Sequence, residues 1–146
     1  MKLEFSAGGV VIKKDSSIKV LIAQHSQHHG WVFPKGLIDE NPSAGSGQGE
    51  TKEEAALREV QEETGVTGKI LESLIPITYW YVYEGEKRQK TVYYFLMEYI
   101  SGDITEHDWE MENVEWLPVE KVEKRLTYPS DKKVWKEAKE QITKHK

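Results

Sequence analysis

The stretch Arg58-Glu59-Val60-Gln61-Glu62-Glu63-Thr64-Gly65-Val66 decides how this chain is read. Wound as a helix, it places Glu59, Glu62 and Glu63 at i, i+3 and i+4, so three carboxylates share one face. Like charges at that spacing each cost roughly 0.2–0.5 kcal/mol, and nothing in the immediate sequence neutralises three of them. A hard divalent cation would, because Mg²⁺ and Mn²⁺ take oxygen ligands and favour carboxylates. The opposite stripe, with Ala56, Leu57, Val60 and Thr64, is where the helix would meet a core. Both ends are marked. Thr51 followed by Glu54 fits a capping box, and Gly65 can take the left-handed conformation that ends a helix.

From Glu50 onward the residues run Glu-x7-Arg-Glu-Val-x-Glu-Glu-x-Gly-Val. This resembles the Nudix box, Gly-x5-Glu-x7-Arg-Glu-U-x-Glu-Glu-x-Gly-U with U a bulky apolar residue, the signature of hydrolases acting on nucleoside diphosphates linked to another moiety. Every defined position from Glu50 to Val66 matches. The leading Gly does not, since Ala44 stands six positions before Glu50. Its counterpart is Gly36 in Trp31-Val32-Phe33-Pro34-Lys35-Gly36, which resembles the Phe-Pro-Lys-Gly entry of many members. Thirteen residues then separate Gly36 from Glu50 where the pattern has five. The surplus, at about 41–48, is small and polar and reads as an inserted loop. Loop closure entropy grows only logarithmically with length, so the helix should survive the insertion.

Composition is compatible with a single enzyme domain over 1–146. The 146 residues are 38% hydrophobic, enough for one good core. No apolar run approaches the ~20 residues of a membrane span, and the N-terminus lacks the marks of a signal peptide. The sequence contains no cysteine, which excludes disulfides and thiolate chemistry and suits a cytoplasmic protein. A net charge of −5 argues against general duplex DNA binding, and a polyphosphate would need metal ions and local basic residues to overcome it.

Strands are expected at Phe5–Ile12, Ile18–Gln24 and Trp31–Phe33. A hairpin of Ile70–Val82 and Lys90–Tyr99 should turn at Tyr83-Glu84-Gly85-Glu86, and Glu115-Trp116-Leu117-Pro118 should close a further strand, stopped by the proline. Helices are expected at Val119–Leu126 and from Ser130 onward. Strands with flanking helices suggest an α/β fold with a sheet covered on both sides. The resemblance implies the Nudix α/β/α sandwich with a mixed sheet.

It also implies a site. A pyrophosphate bond is shielded by negative oxygens, so its hydrolysis needs charge neutralisation and a positioned water. The family's metals, Mg²⁺ or Mn²⁺, would be bound by Glu59, Glu62 and Glu63 with a backbone carbonyl of Lys35 or Gly36. Glu62 then belongs to the catalytic set, Arg58 would orient the carboxylates, and Glu50 would brace the loop or helix. Glu110 is the candidate for a further base or ligand. Lys35 is a candidate phosphate contact. Lys90-Thr91-Val92-Tyr93-Tyr94 resembles the Lys-x-Val-x-Tyr element of asymmetric diadenosine tetraphosphate hydrolases, which makes Lys90 and Tyr94 substrate candidates. Tyr128 matches a late tyrosine that stacks on adenine in that subgroup, and His29 could replace a histidine that members often carry at position 30. The implied partner is a nucleoside polyphosphate. ADP-ribose, nucleoside triphosphates, capped RNA and inositol pyrophosphates remain open as substrates. A sensing module would usually lose box glutamates, and an isomerase of the isopentenyl diphosphate type would need a cysteine. Deleting Asn41 to Gln48 restores the five-residue spacing and is expected to leave the melting temperature nearly unchanged. A large drop would show that the segment is structural.

Overall fold

Two central strands carry apolar side chains on both faces, which requires cover on both sides of a sheet. In the computed structural model, which describes residues 1–39 and 49–145, β1 (Lys2–Lys14) and β2 (Ile18–His25) are these strands. Val10, Ile12, Val20 and Ile22 face one way, and Ala7, Val11, Leu21 and Ala23 the other. The remaining strands are β3 (Trp31–Val32), β4 (Lys35–Leu37), β5 (Val66–Ser73), β6 (Ile77–Tyr83), β7 (Glu86–Gly102) and β8 (Met111–Pro118). The main path runs β3-β2-β1-β7-β5, while β4, β6 and β8 pair with β1, β7 and β2. The sheet is mixed. β1 runs parallel to β7 from Lys2↔Arg88 to Ile12↔Glu98, and its partners β2 and β4 are antiparallel.

The helices divide between the faces. α1 (Lys52–Thr64) lays Ala55, Ala56 and Val60 onto the Val11 and Leu21 side. α2 (Val119–Arg125) and α3 (Pro129–Lys144) cover the other with Val122, Val134, Trp135, Ala138 and Ile142. This is the expected α/β/α sandwich. The start of α1 carries both bonds of the capping box, Glu54 N–H to Thr51 Oγ1 and Thr51 N–H to Glu54 Oε1, each 3.0 Å.

Several boundaries differ from the sequence reading. The strand expected at Ile70–Val82 is two strands, β5 and β6, which pair with different ends of β7. Pro76 lies in the break and has no N–H for a ladder, while the Ile75 N–H turns to Glu137 Oε1 at 2.7 Å. β4 was absent from the reading because Pro34 precedes it and it is only three residues long. β8 starts at Met111 and ends at Pro118, the proline expected to stop it. The segment 41–48 lies outside the described residues. On either side of it, the Glu50 N–H donates to Asp39 O at 2.8 Å. Trp135 is 2% exposed beneath the sheet, and Trp135→Ala should cost about 3–5 kcal/mol. Urea unfolding measures this, and a loss below about 1 kcal/mol would mean that the core closes over the gap.

Candidate active site

The Arg58 side chain rises from α1 into a ring of acceptors. Its Nε and Nη2 bond both oxygens of Glu50 at 2.6 and 2.7 Å, and Nη2 also reaches Leu37 O at 3.1 Å. Nη1 bonds Glu59 Oε1 at 2.7 Å and both oxygens of Glu62 at 3.1 Å. These charge-assisted bonds, the Glu50 pair foremost, raise the Arg58 pKa above its ordinary value, while the same Arg58 bond holds Glu50 below its own. Glu50 Oε1 also accepts the Asp39 N–H at 3.0 Å, so Glu50 braces the strand–helix connection.

The three box carboxylates differ in environment. Glu62 is exposed, Glu59 half-buried, and Glu63 only 4% exposed on the packed side of α1 beside Val60 and Thr64. Burial raises the Glu59 pKa against the opposing effect of Arg58, and repulsion from Glu62 and Glu110 adds to the rise. Burial, with Glu59 repulsion second, pushes Glu63 up to about 9, only partly offset by Lys35, whose N–H donates to Glu63 Oε1 at 3.3 Å. Gly36 is forced by proximity, since a Cβ there would overlap the Glu59 carboxylate.

Among the described residues, no three acids or imidazoles are gathered into a ready metal-ligand set. The reason is local. Arg58 holds Glu59 and Glu62, while Glu63 faces Lys35. The donor chemistry nevertheless fits a hard divalent cation. Glu59 is repelled by Glu62 and Glu110, and Glu63, repelled by Glu59 and Glu110, is a buried carboxylate with incomplete compensation.

Beside Glu63 opens a cleft of about 320 Å³ that gathers Lys35, Tyr79, Lys90, Glu110, His25 and His28. Lys35, Lys90 and Glu110 were expected from the sequence, and the structure brings them together. Burial, then Lys35 nearby, lowers the Lys90 pKa, with Glu4 and Glu63 pulling the other way. Tyr128 stands beside the cleft with its hydroxyl 2.8 Å from His28 Nδ1.

Tyr94 requires correction as a substrate contact. Its side chain points into the α2/α3 side of the core, 4% exposed and edge-on to Phe33, and it does not line the cleft. Strand parity is the cause. Lys90, Val92, Tyr94 and Leu96 share one face of β7, and the face passes from cleft to core along the strand. Tyr79 from β6, missed in the sequence, lines the cleft instead. Alternation with buried Ile77 was the signal for it. His29 ion-pairs with Glu112, and His25 and His28, three residues apart in the same turn, line the cleft in its place. A larger hollow of about 550 Å³ lies over α3 around Lys132, Lys136 and Lys139, and no box residue reaches it.

A mixed sheet between helix layers, with an acidic helix beside a lysine-bearing cleft, defines an α/β domain whose cleft brings acids and lysines together. A match to the NUDIX domain over residues 2–138 makes the family explicit, and the chain belongs to the Nudix family. Hydrolases of this family generally use divalent cations. The chain is 36% identical over 148 residues to the putative mutator protein MutT4 of Mycobacterium tuberculosis, covering 97% of this chain and 56% of that protein. It is 33% identical over 139 residues to the 8-oxo-(d)GTP phosphatase of Mycolicibacterium smegmatis, covering 88% and 39%. It thus spans about half the length, or less, of these curated relatives. The fold is shared with the binary complex of a C. elegans Ap4A hydrolase, TM-score 0.67 at 21% identity over 97% of this chain and 98% of the other. Among the described residues, no helix is long and apolar enough to cross a membrane.

Glu63 yields a pH test in the metal-free protein. Its pKa is raised from 4.5 to about 9 on folding, so the folded state holds the proton more tightly. The associated stability is complete below about pH 4.5 and is lost as pH rises through about 9. Glu63→Gln removes this dependence. With EDTA present, the variant should melt above the parent at pH 9 and lose less stability between pH 5 and pH 9. Parallel melting curves for the two proteins would show that Glu63 ionises without cost.

Proposed function

We propose that this Nudix domain is a metal-dependent pyrophosphohydrolase of the cytoplasm that cleaves dinucleoside polyphosphates. Diadenosine tetraphosphate would give ATP and AMP. The observation that carries the reading is the meeting of the acids Glu63 and Glu110 with the cations Lys35 and Lys90 in one cleft. The lysines would bind phosphate oxygens in a protein whose total charge repels them. Glu59, Glu62, Glu63 and the Lys35 or Gly36 carbonyl would hold Mg²⁺ or Mn²⁺, with Arg58 setting the carboxylate orientation. Such a cation supplies charge neutralisation and a lowered water pKa when bound. Glu110, which lines the same cleft, would take a proton from the attacking water. Tyr128 at the rim offers a ring for base stacking, worth about 1–3 kcal/mol.

A second reading has support from the mycobacterial relatives, one of which is named as an 8-oxo-(d)GTP phosphatase. On that reading the substrate is an oxidised guanosine triphosphate. Product analysis across diadenosine tetraphosphate, 8-oxo-dGTP and ADP-ribose with saturating Mg²⁺ decides between them. ATP plus AMP as the fastest reaction supports the first reading. Two ADP molecules, or faster turnover of 8-oxo-dGTP, overturns it. In the same assay Glu62→Gln should reduce turnover by about a hundredfold or more, because metal-borne stabilisation is worth several kcal/mol. Its melting temperature should hold, as Glu62 is exposed. Parental turnover in this variant would remove Glu62 from the mechanism.

A further inference from the structure

The turn from His25 to Gly30, between β2 and β3, fixes two imidazole rings through their Nδ1 atoms. The Gln27 N–H donates to His25 Nδ1 at 3.1 Å, and the Gly30 N–H donates to His28 Nδ1 at 3.0 Å. A backbone N–H can only donate, so each Nδ1 is an acceptor without a proton, and each ring carries its hydrogen on Nε2. The Tyr128 hydroxyl, 2.8 Å from the same His28 Nδ1, must then donate as well. The two rings stack with centroids 4.3 Å apart and planes 8° from parallel. Two charged imidazolium rings would repel at that distance, whereas two uncharged rings pack.

The turn is closed tightly around this pair. The His25 N–H donates to Gly30 O at 3.0 Å and the His29 N–H to His25 O at 2.9 Å, with His29 in the left-handed region at φ 61°. Tyr128 lies so close to Gly30 that a Cβ there would collide with its ring. The adjoining strand is tied to the same region, since the Trp31 N–H donates to Thr127 Oγ1 at 2.8 Å and the Thr127 N–H to Trp31 O at 3.1 Å. Both imidazoles line the cleft that holds Lys35 and Lys90.

We propose that the stacked His25 and His28 rings form a phosphate-oxygen subsite of this cleft, each offering one Nε2–H, with His28 also fixing Tyr128 at the rim. The ligand class is the polyphosphate chain of a nucleoside polyphosphate, so the inference rests on, and deepens, the hydrolase reading. The lysines and the imidazoles contribute differently. An ammonium group attracts a phosphate from any direction, while an N–H on a stacked, hydrogen-bonded ring donates to an oxygen only along its own axis. Two such donors add direction to a cleft whose charge comes from Lys35 and Lys90. His25 and His28 are therefore positioning residues that select the register of the phosphate chain.

Two measurements test this. Long-range ¹H–¹⁵N spectra of the wild-type protein should show both rings as Nε2–H tautomers, and saturating inorganic tripolyphosphate should shift both Nε2 resonances. Kinetics on the cleaved substrate should place the effect in binding. His28→Asn keeps an oxygen near the Nδ1 position for the Gly30 N–H and the Tyr128 hydroxyl but removes the Nε2–H, as His25→Asn does for Gln27. Each should raise KM by about tenfold, the loss of one hydrogen bond to a charged group, with kcat within about threefold. A ring protonated on Nδ1, resonances indifferent to tripolyphosphate, or parental KM in both variants overturns the subsite. If the wild type cleaves nothing in the substrate panel while tripolyphosphate still moves both rings, the hydrolase reading falls and the subsite stands.

Discussion

The site depends on one guanidinium. Arg58 bonds Glu50, Glu59, Glu62 and Leu37 O, and so joins the helix that carries the acids to the strand and connection that approach it. Without that cation, three carboxylates would face one another with only water between them. With it, their orientation is fixed before any ligand arrives, which lowers the cost of ordering them later. In the bidentate pair Arg58 is about a third exposed and Glu50 less than that, so solvent screening weakens it less than an ordinary surface ion pair. The same bonds explain why the acids are not already gathered into a ligand set. A divalent cation would compete with Arg58 for Glu59 and Glu62.

The sheet supplies the second constraint through its alternation. On β7, Lys90, Val92, Tyr94 and Leu96 point to one side, and only the later three are covered by the α2 and α3 layer. The strand face therefore passes from a cleft with a lysine to a packed core within four residues. Because Lys90 sits at that boundary, its ammonium is partly desolvated beside a second cation, Lys35. Glu63 occupies the equivalent boundary on α1, between the apolar stripe and the acidic face. Each of the two layers thus contributes one charged group at the limit of its own packing.

Much of this was legible in the residues because it is local. The i, i+3, i+4 spacing of the box, the Thr51–Glu54 cap and the left-handed Gly65 each depend on neighbours within one or two helical turns, and the structure shows all of them. The covered sheet could be read from the runs in β1 and β2, which leave no polar face. Features set by distant contacts were not legible. Tyr94 and Tyr93 are adjacent in sequence, and only the pairing of β7 with β1 decides which of them enters the core. The break at Pro76 was hidden by an aromatic run whose strand propensity outweighed the proline. His28 acquires its role from Tyr128, a hundred residues away, and sequence spacing carries no signal of that kind.

The buried carboxylate of Asp131, at the start of α3, accepts the Phe33 N–H across 98 residues at 3.2 Å, just before the Pro34-Lys35-Gly36 approach to the acids. Together with the Thr127 and Tyr128 contacts, it makes one wall of the cleft depend on chain made after the described strands. A nascent chain ending before residue 127 would already contain the acidic helix and all eight strands, yet lack the groups that hold residues 28–35. Domains fold from the N-terminus as they emerge, and contacts of high sequence separation close last. On the ribosome the acidic helix would therefore precede the cleft, so an incomplete chain could display its carboxylates before it could seat a nucleotide against them.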